Sequence, residues 1–249
     1  MTTANDLWNA TSEEPWTAAL ALASTRTNPS RRELERELED RLTPAVIAAL
    51  TPEGWATFLR DKYFVWKYTA ANRLATTRTW LARHVETKGV PDLDRIRHAI
   101  LSPPDPGIGA RIRAAKEIGG LGTAGASGLL ALLYPREFGT VDQFIVTALR
   151  GVPNLPEREI LLAMEPNHLT VADAVTLILI LRRKATELKT RFGGTRWTPR
   201  MIDMALWAVG RPYARTSSVA TTRPASQGRS ATENAPALGA GRTGLPPRT

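Results

Sequence analysis

Apolar residues recur at intervals of three and four along most of the chain, and no stretch alternates long enough to predict a strand. Leu34, Leu38 and Leu42 form one stripe of a charged helix over residues 31–41. Thr51-Pro52-Glu53 supplies the cap, first-turn proline and acid that open a helix. Beyond it, residues 55–80 interleave Phe58, Tyr63, Phe64, Trp66, Tyr68 and Trp80 with Arg60, Lys62, Lys67, Arg73 and Arg78. The spacing predicts aromatics turned into a helical core under a basic outer face. Aromatics mixed with bases can also stack on nucleobases and grip phosphates, so Lys67 and Arg73 are candidate backbone contacts. A short helix over 92–101 runs into a proline-rich loop, 102–107. Further helices are predicted over 155–164, over 169–191 up to Gly193-Gly194, and over 200–210 behind Thr198-Pro199.

The most informative stretch is residues 108–149. Ile112, Ala115 and Ile118 mark a helix that Gly119 and Gly120 end, and Gly122 permits a tight reversal. Thr123 is placed to cap a second helix carrying Leu129, Leu130, Leu132 and Leu133, with Pro135 just beyond it. Val141-Asp142-Gln143-Phe144 then puts an acid at the start of a third helix, where the helix dipole alone favours one.

Helix, glycine hairpin, helix and Val-Asp in that order resemble the helix-hairpin-helix DNA glycosylase superfamily. Ile118-Gly119-Gly120-Leu121-Gly122 stands where the family has a Leu-Pro-Gly-Val-Gly-like hairpin, with Gly119 in place of proline. Val141-Asp142 is kept without the Thr-His that commonly follows. The resemblance implies an all-α, two-lobed domain with the hairpin at the junction. It implies that Gly120, Leu121, Gly122 and Thr123 meet the DNA backbone, and that Asp142 is the catalytic carboxylate. It also implies a monovalent cation held by the carbonyls of Gly120 and Gly122, with no metal bound by side chains. Members that cut the strand use a lysine at the hairpin's end as a Schiff-base nucleophile. Here Thr123 and Ala124 stand there, which implies a monofunctional enzyme leaving an abasic site. Trp66, Gln143, Phe144 and Trp207 are candidates for the base pocket. A non-catalytic helix-hairpin-helix DNA-binding protein is the alternative, and a helical protein-interaction module is a third class.

Composition narrows the picture. The 249 residues are 43% hydrophobic, enough for a packed core, and no apolar run approaches a membrane span. The absence of cysteine excludes disulfides, cysteine-ligated zinc and iron–sulfur clusters. His84 and His98 stand apart from any metal-ligand spacing. The start lacks the basic-then-apolar pattern of a secretory signal, so the expected location is cytoplasmic, nucleoid-associated if bacterial, with double-stranded DNA as the expected partner. Net charge is +9, and residues 211–249, with six arginines and one glutamate, carry +5 of it. Their Ser, Thr, Pro, Gly and Ala content predicts a disordered basic tail. Residues 1–30, rich in Ser, Thr and Ala around Trp8 and Trp16, are expected to form a loosely ordered arm, leaving 31–210 as the domain.

Overall fold

The structure, a computed structural model, describes residues 2–102 and 107–210. The expected disordered tail, 211–249, and most of the proline loop lie outside the described residues. Every regular element among the described residues is helical.

Three early helices open on the same device, a cap residue followed by proline. Asn28 receives the Ser30 amide ahead of α3 (Pro29–Arg41), Thr43 that of Val46 ahead of α4 (Pro44–Ala48), and Thr51 that of Gly54 ahead of α5 (Pro52–Phe58). The proline fixes φ where no helical N–H is needed. A π-helical turn, Leu59–Tyr63, leads from α5 into α6 (Phe64–Lys67). The chain breaks at Tyr68 before α7 (Ala71–Lys88), and α8 (Val90–Leu101) follows. The hairpin unit is α9 (Ile108–Lys116) and α10 (Thr123–Leu133). Then come α11 (Gln143–Arg150), α12 (Arg158–Ala163), α13 (Val171–Phe192) and α14 (Pro199–Gly210).

The packing forms two lobes. Helices α4 to α8 pack on one another, while α11, α13 and α14 form a second group with the first two helices of the chain. Between them, α9 touches α8 and α13, and α10 packs on α9, α13 and α14. The hairpin therefore sits at the junction, and one hydrophobic cluster runs through both lobes. The aromatic stretch behaves as expected: Trp55, Tyr63 and Phe64 are fully buried. Trp80 alone departs, standing half exposed at 51%.

The loosely ordered N-terminal arm is corrected. Residues 1–30 hold α1 (Ala4–Trp8), α2 (Glu14–Arg26) and the start of α3, and α2 lies along α14. Leu7 and Trp16 are wholly buried, and the Trp16 ring meets Trp197 edge-on at 6.0 Å. Small side chains explain the close fit: Ala19 and Ala23 are both buried. Composition rich in Ser, Thr and Ala imitates a linker, although alanine is also the best helix former. The domain thus begins near residue 2 rather than at 31.

Replacing Trp16 with Ala should cost about 3–5 kcal/mol, as for a buried aromatic elsewhere. At roughly 2–4 °C per kcal/mol for a domain this size, the melting temperature should fall by about 6–20 °C. An unchanged thermal melt would show that α2 does not belong to the core.

Candidate functional site

The hairpin is shaped by how closely it approaches α7. A Cβ on Gly119 would stand 2.6 Å from the Trp80 carbonyl oxygen and 2.7 Å from the His84 Cβ. No side chain fits there, including the proline that the resembled hairpins carry. Gly120 has φ of +90°, and its Cβ would meet the Thr77 carbonyl oxygen at 2.8 Å. The Leu121 amide donates back to the Ile118 carbonyl at 3.0 Å, closing the turn.

Gly122 differs from both. Its backbone is extended, and a Cβ built there has no atom within 4 Å. Gly122, not Thr123, is the N-cap of α10, because Thr123 is already helical and buried at 5% exposure. The expected Thr123 cap is therefore corrected: no side chain caps the N–H groups of this first turn. They open on a cleft of about 640 Å³ between the hairpin, α7 and the turn at 166–169, with Arg73 and Lys116 on its walls. The Gly120 carbonyl accepts from the Tyr68 hydroxyl at 3.5 Å and the Gly122 carbonyl from the Ala126 amide at 2.8 Å. Each keeps one lone pair.

Asp142 is reached along α10. The Ser127 hydroxyl accepts from the Val141 amide at 3.0 Å and donates to the Ala124 carbonyl at 3.1 Å. One residue earlier, the Thr140 amide donates to Asp203 at 2.6 Å. Two buried side chains on different helices thus fix the strand-like segment that presents Asp142. Half-buried Asp142 caps α11, one oxygen accepting from the Phe144 amide at 2.9 Å and the Ile145 amide at 3.3 Å. Its second oxygen accepts no hydrogen bond from the described residues.

Behind Asp142 lies a buried charge cluster. Arg200 reaches Asp203 at 2.9 Å, Glu35 at 2.7 Å and Glu39 at 3.1 Å, and its guanidinium lies 5.4 Å from the Trp66 ring centre. Burial alone would lower the Arg200 pKa, but Asp203, Glu39 and Glu35 outweigh it and hold the group above its ordinary value. Three carboxylates share that one guanidinium. Burial pushes Asp203 up to about 7 against the pull of Arg200, the Thr140 amide and Lys67. Glu39 is raised too, by burial first.

Lys67, expected as a backbone contact, does not line the hairpin cleft. It is half-buried against α10, its ammonium 3.3 Å from where a Gly128 Cβ would stand. Burial lowers its pKa, while the carboxylates of Asp142 and Asp203 pull it back up. The other expected residues divide. Arg73 joins Gly120, Leu121, Gly122 and Thr123 in the hairpin cleft. Trp66 neighbours Lys67 and Arg200. Gln143 is exposed and Phe144 half-buried on α11, whereas Trp207 packs partly buried against the core. Asp142, Trp66, Gln143, Phe144 and Trp207 do not line the hairpin cleft. Sequence reasoning missed Ser127, Arg200 and Asp203. A lone serine inside an apolar helix, and an Arg and Asp three apart in another, were the available signals.

Among the described residues no three His, Cys, Asp or Glu side chains gather closely enough for a metal ion. No helix among them is long and apolar enough to cross a membrane. No protein-family model, curated protein or solved structure matches the chain.

Asp203 gives a pH signature. Its folded pKa, about 7, exceeds the ordinary 3.8, so the folded state holds the proton more tightly. The stability this lends is complete below about pH 4 and is lost as pH rises through 7. The unfolding free energy of wild type minus that of Asp203→Asn should therefore fall from pH 4 to 7 and level off above. Urea titrations across that range check it, and a difference that rises with pH would contradict the raised carboxyl.

Proposed function

We propose that the chain is a DNA-binding protein acting as a monofunctional base-excision glycosylase, which hydrolyses the N-glycosidic bond of a base flipped from duplex DNA. One observation supports this most: the uncapped N-terminus of α10 opens behind Gly122, and the same helix holds the Asp142 segment through Ser127.

In this reading a backbone phosphate approaches Gly122, where no Cβ obstructs it, and meets the first-turn N–H groups of α10. Arg73 and Lys116 add charge that favours DNA without reading its sequence. Leaving of the base makes the sugar cationic at C1′. The free oxygen of Asp142 stabilises that cation and orients a water, whose oxygen bonds to C1′ as its proton passes to the departing base. The hairpin has no amine, so the strand stays intact.

The runner-up is a DNA-binding protein without chemistry. It is favoured by the capping of α11, which accounts for Asp142 with no catalytic role.

The two readings part on Asp142→Asn. Asparagine is as good a cap, so the fold should persist. Base release from duplexes carrying oxidised, alkylated, deaminated or mismatched bases should fall by about two to three orders of magnitude. Duplex affinity should hold or tighten. Release from no lesion by wild type supports the runner-up, and equal release by the variant removes Asp142 from the chemistry. Borohydride trapping that Lys67→Met abolishes would assign strand cleavage to Lys67 instead.

Gly122→Val tests the hairpin. Its side chain would point into open space, so stability should change little. Affinity should drop alike for every duplex sequence, because the blocked contact is to phosphate. Unaltered affinity in the folded variant would remove the hairpin from the interface.

A further inference from the structure

The face of α7 beside the hairpin carries a feature that backbone binding does not use. Thr77 and His84 turn inward against the glycines, while Arg73, Thr76, Trp80 and Arg83 are exposed. At positions i, i+3, i+7 and i+10 these four share one stripe of the helix. Arg73, Thr76 and Trp80 line the wall of the hairpin cleft, opposite Gly122.

Trp80 is the anomaly. Trp16, Trp55 and Trp197 are wholly buried and Trp8 nearly so, whereas Trp80 leaves 51% of its surface in water. The Arg83 guanidinium lies 5.6 Å from its ring centre, which fixes the ring and leaves indole surface open. Arg73, Arg83 and Lys116 have no carboxylate within ion-pair distance among the described residues. Two acids nearby are engaged elsewhere: Glu117 by Arg95 at 2.6 Å, and Asp92 by Arg95 at 2.9 Å and His84 at 3.1 Å. An aromatic ring flanked by free cations complements a polyanion that carries flat apolar groups.

We propose that this stripe docks a nucleic-acid strand with an unpaired base stacked on Trp80. The inference rests on the DNA-binding reading and adds a preference to it. Phosphate contacts at the hairpin are blind to whether a base is paired. Stacking on Trp80 is not, because a paired base keeps its faces inside the duplex. The chain should therefore favour sites where a base is already unstacked, such as a single-nucleotide bulge or gap.

The test measures fluorescence anisotropy of the full chain on a labelled, fully paired duplex and on the same duplex with a one-nucleotide bulge. Wild type should bind the bulged duplex tighter by about five- to 150-fold, the range for one stacked base. Trp80→Ala should lose that preference, binding the paired and bulged duplexes with equal affinity. Trp80→Phe, which retains a ring, should recover most of the preference. Because Trp80 is exposed, both variants should melt with wild type. Iodide should quench free wild type more than Trp80→Phe, and bulged DNA should abolish that difference. Paired and bulged duplexes bound equally by wild type would overturn the stacking proposal and leave hairpin binding standing. A preference that survives in Trp80→Ala would overturn it too. Failure to bind either duplex would take down the DNA reading and this inference together.

Discussion

Arg200 is the buried charge on which the geometry around Asp142 depends. One guanidinium holds Glu35 and Glu39 of α3, Asp203 of its own helix and the face of Trp66 from α6. Asp203, kept in place by Arg200, receives the Thr140 amide, and Ser127 receives the next amide. A buried ion cluster is a poor source of net stability, because desolvation consumes most of the Coulombic gain. Its worth here is positional: it brings three helices to one point and sets the backbone that delivers Asp142. Removing Arg200 would leave Asp203 buried without its ion partner, which costs far more than the pair contributes.

Much of the fold was legible. Cap-plus-proline starts, leucine stripes and glycine stops mark helices through local chemistry, which any sequence exposes. The hairpin was legible for the same reason, since a turn with φ of +90° calls for glycine. The N-terminal helices were not, because their small residues are chosen for contact with α14 and look like a linker until that partner is known. Gly119 reads as a departure from a familiar pattern, yet its meaning lies in the Trp80 carbonyl 2.6 Å away from any Cβ. Thr123 looked like a cap because Thr commonly is one; an extended Gly122 took that position and left the helix end bare.

The candidate site was half legible. Asp142 and the hairpin lie on neighbouring elements, so their order in sequence carries their proximity. Lys67, Arg200 and Asp203 join them only through tertiary packing. Lys67 illustrates the difference. In sequence it is one base among aromatics, but in the fold it lies half-buried against α10, drawn to Asp142 and shifted down by burial. Trp80 reverses the expectation for aromatics: it was read with the core and stands in water.

What unites these observations is α10. Its open end faces the hairpin cleft, its first turns hold the Asp142 segment through Ser127, and the glycine at 128 gives Lys67 its space. The central claim is that this end of α10 is where a DNA backbone docks. Amide chemical-shift mapping of the labelled chain during titration with a short duplex tests it most directly. The account predicts the largest shifts at Gly120 to Ala124 and at Val141 to Gln143, reversed by added salt. Shifts that cluster on α3 or α12 and leave those amides unmoved would contradict it.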